Sequence, residues 1–190
     1  MEDFICVVEG VVPDETCDAL INLAETGDIL ERATVFDRDG QIVVGEVRQN
    51  SLVHLTAENC GVHLGALNVA FRNAYPKYAE KFPILASVNK ISLEAFTLLR
   101  YDEETDFYDW HVDGLDAGIR SRFLSQVAYL NDVEKGGETE FLLQGRKVQP
   151  RRGSIVVFPS GWTHQHRALP PITGKKYAVT NFLRFPGPHM

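Results

Sequence analysis

Along this 190-residue chain the rhythm of hydrophobic and polar positions changes once, near residue 88. Before that point the pattern is mixed. Residues 4–12 are rich in Val and Ile and predict a strand. Pro13-Asp14 then opens a helix, with Asp14 placed as N-cap and Cys17, Leu20, Ile21 and Ala24 at helical spacing, until Gly27 stops it. Residues 33–48 hold two β-leaning runs around Asp39-Gly40, a hairpin pattern. A second helix is expected over about 59–75, with Leu64, Leu67, Phe71 and Tyr75 on one face and Pro76 at its end. After residue 88, short strand-like runs follow one another at 91–101, 107–112, 122–130, 138–142, 146–149, 153–158 and 176–185. Gly114, Gly118, Gly136-Gly137, Gly145, Pro150 and Gly161 punctuate them. This spacing predicts one α+β domain, a jelly-roll (double-stranded β-helix) core over about 88–185. The N-terminal part, about 1–87, supplies helices that pack on the outside of one sheet.

Composition adds exclusions rather than a function. The chain is 44% hydrophobic and 24% charged, ordinary for a globular protein. A net charge of −7 argues against electrostatic binding to nucleic acid or a membrane surface. No apolar run approaches the roughly 20 residues that span a bilayer. Cys6, Cys17 and Cys60 are odd in number and lack C-x-x-C spacing, so neither a disulfide framework nor a structural zinc is expected. The acidic N-terminus differs from a secretory signal, and a cytoplasmic location is the expectation.

Two short segments carry candidate chemistry. In FYDWHVDG, His111 and Asp113 lie two apart, so on a strand both project from one face. In WTHQHR, His164 and His166 share the same spacing, and either can complete a set of two imidazoles and a carboxylate. Such a set suits Fe(II) and leaves metal positions open for substrates. In KKYAVTNFLRF, Lys176, Ala178, Thr180 and Phe182 alternate onto one face. A lysine entering a barrel there needs an anion to offset its desolvation, whereas Lys175 points outward.

Beyond these, residues 98–185 resemble the catalytic core of the prolyl 4-hydroxylase-like branch of the 2-oxoglutarate/Fe(II) dioxygenases. The resemblance rests on LLRYDEETDFYDWHVD, VAYLNDVEKGGETEF, VQPRRGSIVVFP and HRALPPITGKKYAVTNFL, and extends weakly to VVPDETCDALINLAE. It implies that His166, ten residues before Lys176, is the distal metal ligand beside His111 and Asp113. It makes Lys176 the partner of the distal carboxylate of 2-oxoglutarate, with Tyr129 bonding the cosubstrate and Tyr101 near the iron-side pocket; the inward position of Thr180 makes it a further candidate at the same carboxylate. It places Arg122, Phe182 and Tyr108 at the substrate, Phe182 standing where the family typically has tryptophan. The cofactors implied are Fe(II), 2-oxoglutarate and O2, with ascorbate in addition. The reaction implied is hydroxylation of a prolyl residue in a peptide or protein, coupled to decarboxylation of 2-oxoglutarate to succinate. A free amino acid or other small molecule is the alternative substrate, and a non-catalytic jelly-roll binding module the alternative class. Loop 114–122, GLDAGIRSR, is a candidate lid.

Overall fold

The computed structural model describes residues 2–36, 42–43, 47–88, 90–115, 119 and 121–185. Near the N-terminus lie β1 (Cys6–Val8), α1 (Asp14–Thr26), β2 (Glu31–Arg32), β3 (Val35–Phe36), β4 (Ile42–Val43), β5 (Arg48–Gln49) and β6 (Ser51–His54). Two helices follow, α2 (Ala57–Cys60) and α3 (His63–Lys81). The rest is β: β7 (Ser92–Leu93), β8 (Thr97–Tyr101), β9 (Phe107–His111), β10 (Arg122–Tyr129), β11 (Thr139–Phe141), β12 (Arg146–Val148), β13 (Ile155–Pro159), β14 (His166–Ala168) and β15 (Lys176–Arg184).

Apart from β3 and β4, which pair only with each other among the described residues, the strands form two antiparallel sheets of a jelly roll. The larger runs β1-β13-β10-β15-β8-β6-β2, with β7 also on β15, and the smaller runs β12-β11-β14-β9-β5. Strand β15 shows how sequence becomes architecture. Its odd positions Tyr177, Val179 and Leu183 join the core beneath the helices, together with Leu20, Leu67, Phe71 and Tyr78. Its even positions Lys176, Ala178, Thr180 and Phe182 turn to a cavity between the sheets. The strand is thus covered on both sides, and the period-two pattern decides which side chains meet the site. Between sheet and helix, the buried Gln126 amide donates to the Phe71 carbonyl at 3.0 Å, which fixes α3 across β10.

The N-terminal half departs from the sequence reading in detail. Only Cys6–Val8 of the 4–12 run is strand. Pro13 is the N-cap of α1; Asp14 is its first helical residue and makes no capping bond. Helix α3 starts at His63 and passes through Pro76, because packing beyond the proline holds it: Tyr78 is buried and its hydroxyl donates to the Phe4 carbonyl at 3.0 Å. In the expected hairpin, Val35 pairs with Val43 and Phe36 with Ile42, while the Asp39-Gly40 turn lies outside the described residues. Strand β6 lies outside the strand runs read from the sequence, and at His166–Ala168 the strand begins only after His164.

Candidate metal centre and cosubstrate pocket

His111 ends β9, Asp113 follows two residues later, and His166 begins β14. His166 sits directly opposite His111 in the antiparallel ladder, so sheet pairing brings the two imidazoles together. One ligand atom from each of the three residues lies within 4.8 Å of the others. Nε2 of His111 is 3.7 Å from Asp113 Oδ1, and Nε2 of His166 is 3.5 Å from Oδ2. Around a metal with bonds of about 2.0–2.2 Å, neighbouring ligand atoms lie roughly 3 Å apart, so small side-chain movements close the set on an ion.

The other ring nitrogens decide the tautomers. Nδ1 of His111 faces the Asp109 carbonyl at 2.7 Å, and Nδ1 of His166 faces the His164 carbonyl at 3.0 Å. A carbonyl only accepts, so each Nδ1 carries a proton and Nε2 is the ring nitrogen turned to the cluster. Burial, then the neighbouring His166, pushes His111 down to about 4, which keeps it neutral and able to ligate near pH 7. Burial alone would raise Asp113. The two imidazoles and a hydrogen bond from Ser125 outweigh it and hold the carboxyl below its ordinary range. Aromatic rings fix the histidines: Tyr108 stacks on His111 at 3.6 Å, and Phe158 stands edge-on to His166 at 4.7 Å.

His111, Asp113 and His166 open into a cavity of about 250 Å³ whose wall also includes Lys176, Tyr101, Thr139, Thr180, Phe182 and Arg122. Its wall on the larger sheet is layered by register. Lys176 lies opposite Tyr101; Ala178, Leu99 and Leu52 form the next row; Thr180, Thr97 and His54 form the third. Lys176 is 2% exposed, so its charge is bought at a desolvation cost that pushes it down to about 7. Its Nζ donates to the Gly137 carbonyl at 2.7 Å and stands 5.0 Å from the ring centre of Tyr101. No carboxylate bonds it among the described residues, so it retains donors for an anionic ligand in the cavity.

Comparison with known proteins fits this geometry. Residues 96–184 match the family model of the 2OG-Fe(II) oxygenase superfamily. Prolyl 4-hydroxylase 13 of Arabidopsis thaliana is 27% identical over 90% of this chain and 67% of its own length. Probable prolyl 4-hydroxylase 6 of the same plant is 30% identical over 92% of this chain and 67% of its own length. The chain belongs to the prolyl 4-hydroxylase-like 2OG-Fe(II) oxygenases. It is therefore a dioxygenase of the family that works with Fe(II), 2-oxoglutarate and O2. The fold is also that of a viral collagen prolyl hydroxylase from Paramecium Bursaria Chlorella virus-1, solved with 2OG (TM-score 0.71, 19% identity, 96% of each chain). It is likewise that of a Trichoplax adhaerens prolyl hydroxylase solved with a hypoxia inducible factor peptide (TM-score 0.75, 14% identity, 96% of this chain and 84% of that one).

Within this oxygenase the remaining site residues fall as follows. Tyr101, Thr180, Phe182, Arg122 and Tyr108 all line the cavity. Tyr129 does not. It packs with Phe141, Val156 and Phe158, and its hydroxyl bonds Thr139 at 2.7 Å, so Thr139 forms the wall there. His164 does not share a strand face with His166. It closes a 3-10 turn (Trp162–His164), with Nε2 3.0 Å from the Asp3 carbonyl, and it serves the site through its own backbone carbonyl. Lys175 points outward to Glu25 at 2.8 Å. Of the expected lid, 114–122, residues 116–118 and 120 lie outside the described residues. Arg122 is not free: Glu94 takes two of its N–H groups at 2.8 and 2.6 Å, the Asp113 carbonyl takes a third, and its guanidinium lies 3.6 Å over the Phe182 ring. Sequence reading missed Glu94, Ser125, Ser160, Thr139 and Arg48, whose guanidinium lies 4.5 Å over the Tyr108 ring at the cavity wall. Of these, Ser125 and Thr139 had a signal, a hydroxyl at an inward strand position.

Proposed function

We propose that this chain hydroxylates prolyl residues in a peptide or protein, with Fe(II) held by His111, Asp113 and His166 and 2-oxoglutarate anchored by Lys176. The observation that carries the reading is one cavity bearing three convergent metal donors and one buried lysine. Bound there, Fe(II) supplies the family's chemistry, in which 2-oxoglutarate and O2 give succinate and CO2 while a substrate C–H becomes C–OH. The protein's own work is placement. Lys176 and Tyr101 receive the distal carboxylate, and Leu52, Leu99 and Ala178 exclude water from the methylene region beside it. Phe182 and the Arg122–Glu94 pair form the wall near Asp113. Because Glu94 already neutralises Arg122, this wall suits an uncharged prolyl ring within a chain better than the carboxylate of a free amino acid. Ascorbate is expected to sustain turnover as a reductant. Three free, buried cysteines support a reducing, cytoplasmic setting.

Succinate formation from 2-oxoglutarate should be slow alone and faster with proline-containing peptides, which gain the mass of one oxygen atom. His111→Ala, Asp113→Ala and His166→Ala should each abolish turnover, whereas His164→Ala should remain active. Turnover without peptide stimulation would retain the oxygenase and reject the prolyl substrate. An inactive protein that still binds a peptide would point to the binding-module reading.

A further inference from the structure

The carboxylate of Asp113 is held by a side chain outside the metal set. Ser125, on β10, donates to Oδ2 at 2.6 Å, and Ser160, just past β13, lies 2.8 Å from the Ser125 oxygen. Both serines are fully buried. Proton counting sets the direction of this relay. An ionised carboxylate only accepts, so Ser125 commits its one hydroxyl proton to Asp113, and Ser160 must donate to Ser125. Neither hydroxyl is explained by packing. Ser125 shares an inward row with Val127 and Tyr129, where an apolar side chain of similar size would avoid burying a polar group. Ser160 is held as firmly, since its amide donates to the Phe123 carbonyl at 3.1 Å. The segment after Asp113 crosses it so closely that a Cβ at Gly114 would stand 3.1 Å from the Ser160 carbonyl oxygen and 3.2 Å from its Cβ.

We propose that Ser125, backed by Ser160, is a positioning residue for the metal: by engaging Oδ2 it restrains the Asp113 carboxylate to ligate through one oxygen rather than both. The inference rests on the metal reading above and goes one layer outward from it. A carboxylate free to rotate can chelate with both oxygens and take a coordination position that the cosubstrates need. Restrained by the Ser125 hydroxyl, Asp113 is preorganised to take one.

The test is Mn(II) titration of the metal-free protein, followed by electron paramagnetic resonance, with no turnover involved. Ser125→Ala should weaken Mn(II) binding by about 10–100-fold. Ser125→Thr, which keeps the hydroxyl, should recover most of that loss. Ser125→Cys, close in size but a poor donor, should behave like alanine and serves if the alanine variant does not fold. Ser160→Ala should have a smaller effect. The double alanine variant should bind no more weakly than Ser125→Ala, because Ser160 acts only through Ser125. Wild-type affinity in Ser125→Ala, no recovery in Ser125→Thr, or multiplicative losses in the double variant would each overturn the proposal. The metal reading fails separately, if the wild type binds no Mn(II) or binds it equally well after His166→Ala.

Discussion

Lys176 is the residue on which the pocket turns. Breaking a buried charge pair by truncation costs about 3–5 kcal/mol. At roughly 1.4 kcal/mol per tenfold, Lys176→Ala should weaken 2-oxoglutarate binding by on the order of two to three and a half decades. Lys175→Ala should leave it unchanged, because that ammonium faces Glu25 on the surface. Titration calorimetry of both variants checks this, and equal losses would contradict the pocket. The lysine also sets a pH dependence. Its folded value of about 7 lies below the ordinary 10.5, so between these values the unfolded chain binds more protons. The metal- and cosubstrate-free protein should therefore gain stability as pH rises from about 7 toward 10.5. Cosubstrate binding has the opposite sign. The anion needs the protonated amine, so affinity should fall above pH 7 and binding should take up a proton, which calorimetry in buffers of different ionisation enthalpy measures directly.

At the scale of elements, the turn leading into β11 is tied to this lysine. Gly136 and Gly137 both have positive φ, and the Gly137 carbonyl accepts from Lys176. A Cβ on Gly136 would run into the Pro170 carbonyl oxygen and the Ile172 amide. Left-handed backbone costs a non-glycine residue about 1–3 kcal/mol before any clash is counted. Gly136→Ala should lower unfolding free energy by at least that much in denaturant melts and weaken 2-oxoglutarate binding as well. Stability equal to wild type would mean that the turn relaxes freely. The glycine pair was visible in the sequence as a turn. Its contact with Lys176 was not, because the two are 39 positions apart and meet only through the sheet. Helix α3 carries a similar lesson: Pro76 reads as a terminus, yet the burial of Tyr78 continues the helix beyond it.

Across the whole molecule, the metal set sits on the smaller sheet and Lys176 on the larger, so the cavity exists only where the two sheets face each other. Metal binding should tie β9 to β14. At 100 times its dissociation constant, a ligand specific to the folded state adds about 2.7 kcal/mol. For a chain of this size, roughly 2–4 °C per kcal/mol puts chelator treatment at a fall in melting temperature on the order of 5–10 °C. The fall should vanish in His166→Ala, and an equal fall in that variant would place the ion elsewhere.

What the sequence determined by itself was whatever depends on short-range periodicity. The two-residue spacing of His111 and Asp113, the inward face of Lys176, Ala178, Thr180 and Phe182, and the β-rich second half all follow from side chains alternating along strands. Spacing could not choose between His164 and His166; only the resemblance did. In the structure, the ladder sets His166 opposite His111, while the carbonyl of Asp3, 161 positions away, holds the ring of His164. The charge on Arg122 was legible, but its neutralisation by Glu94, 28 positions away, was not. Nor was the Ser160–Ser125–Asp113 relay, whose serines are 35 positions apart. Alternation fixes which way a side chain points; what it meets there depends on which strands pair and how the sheets close, and only the tertiary structure decides that.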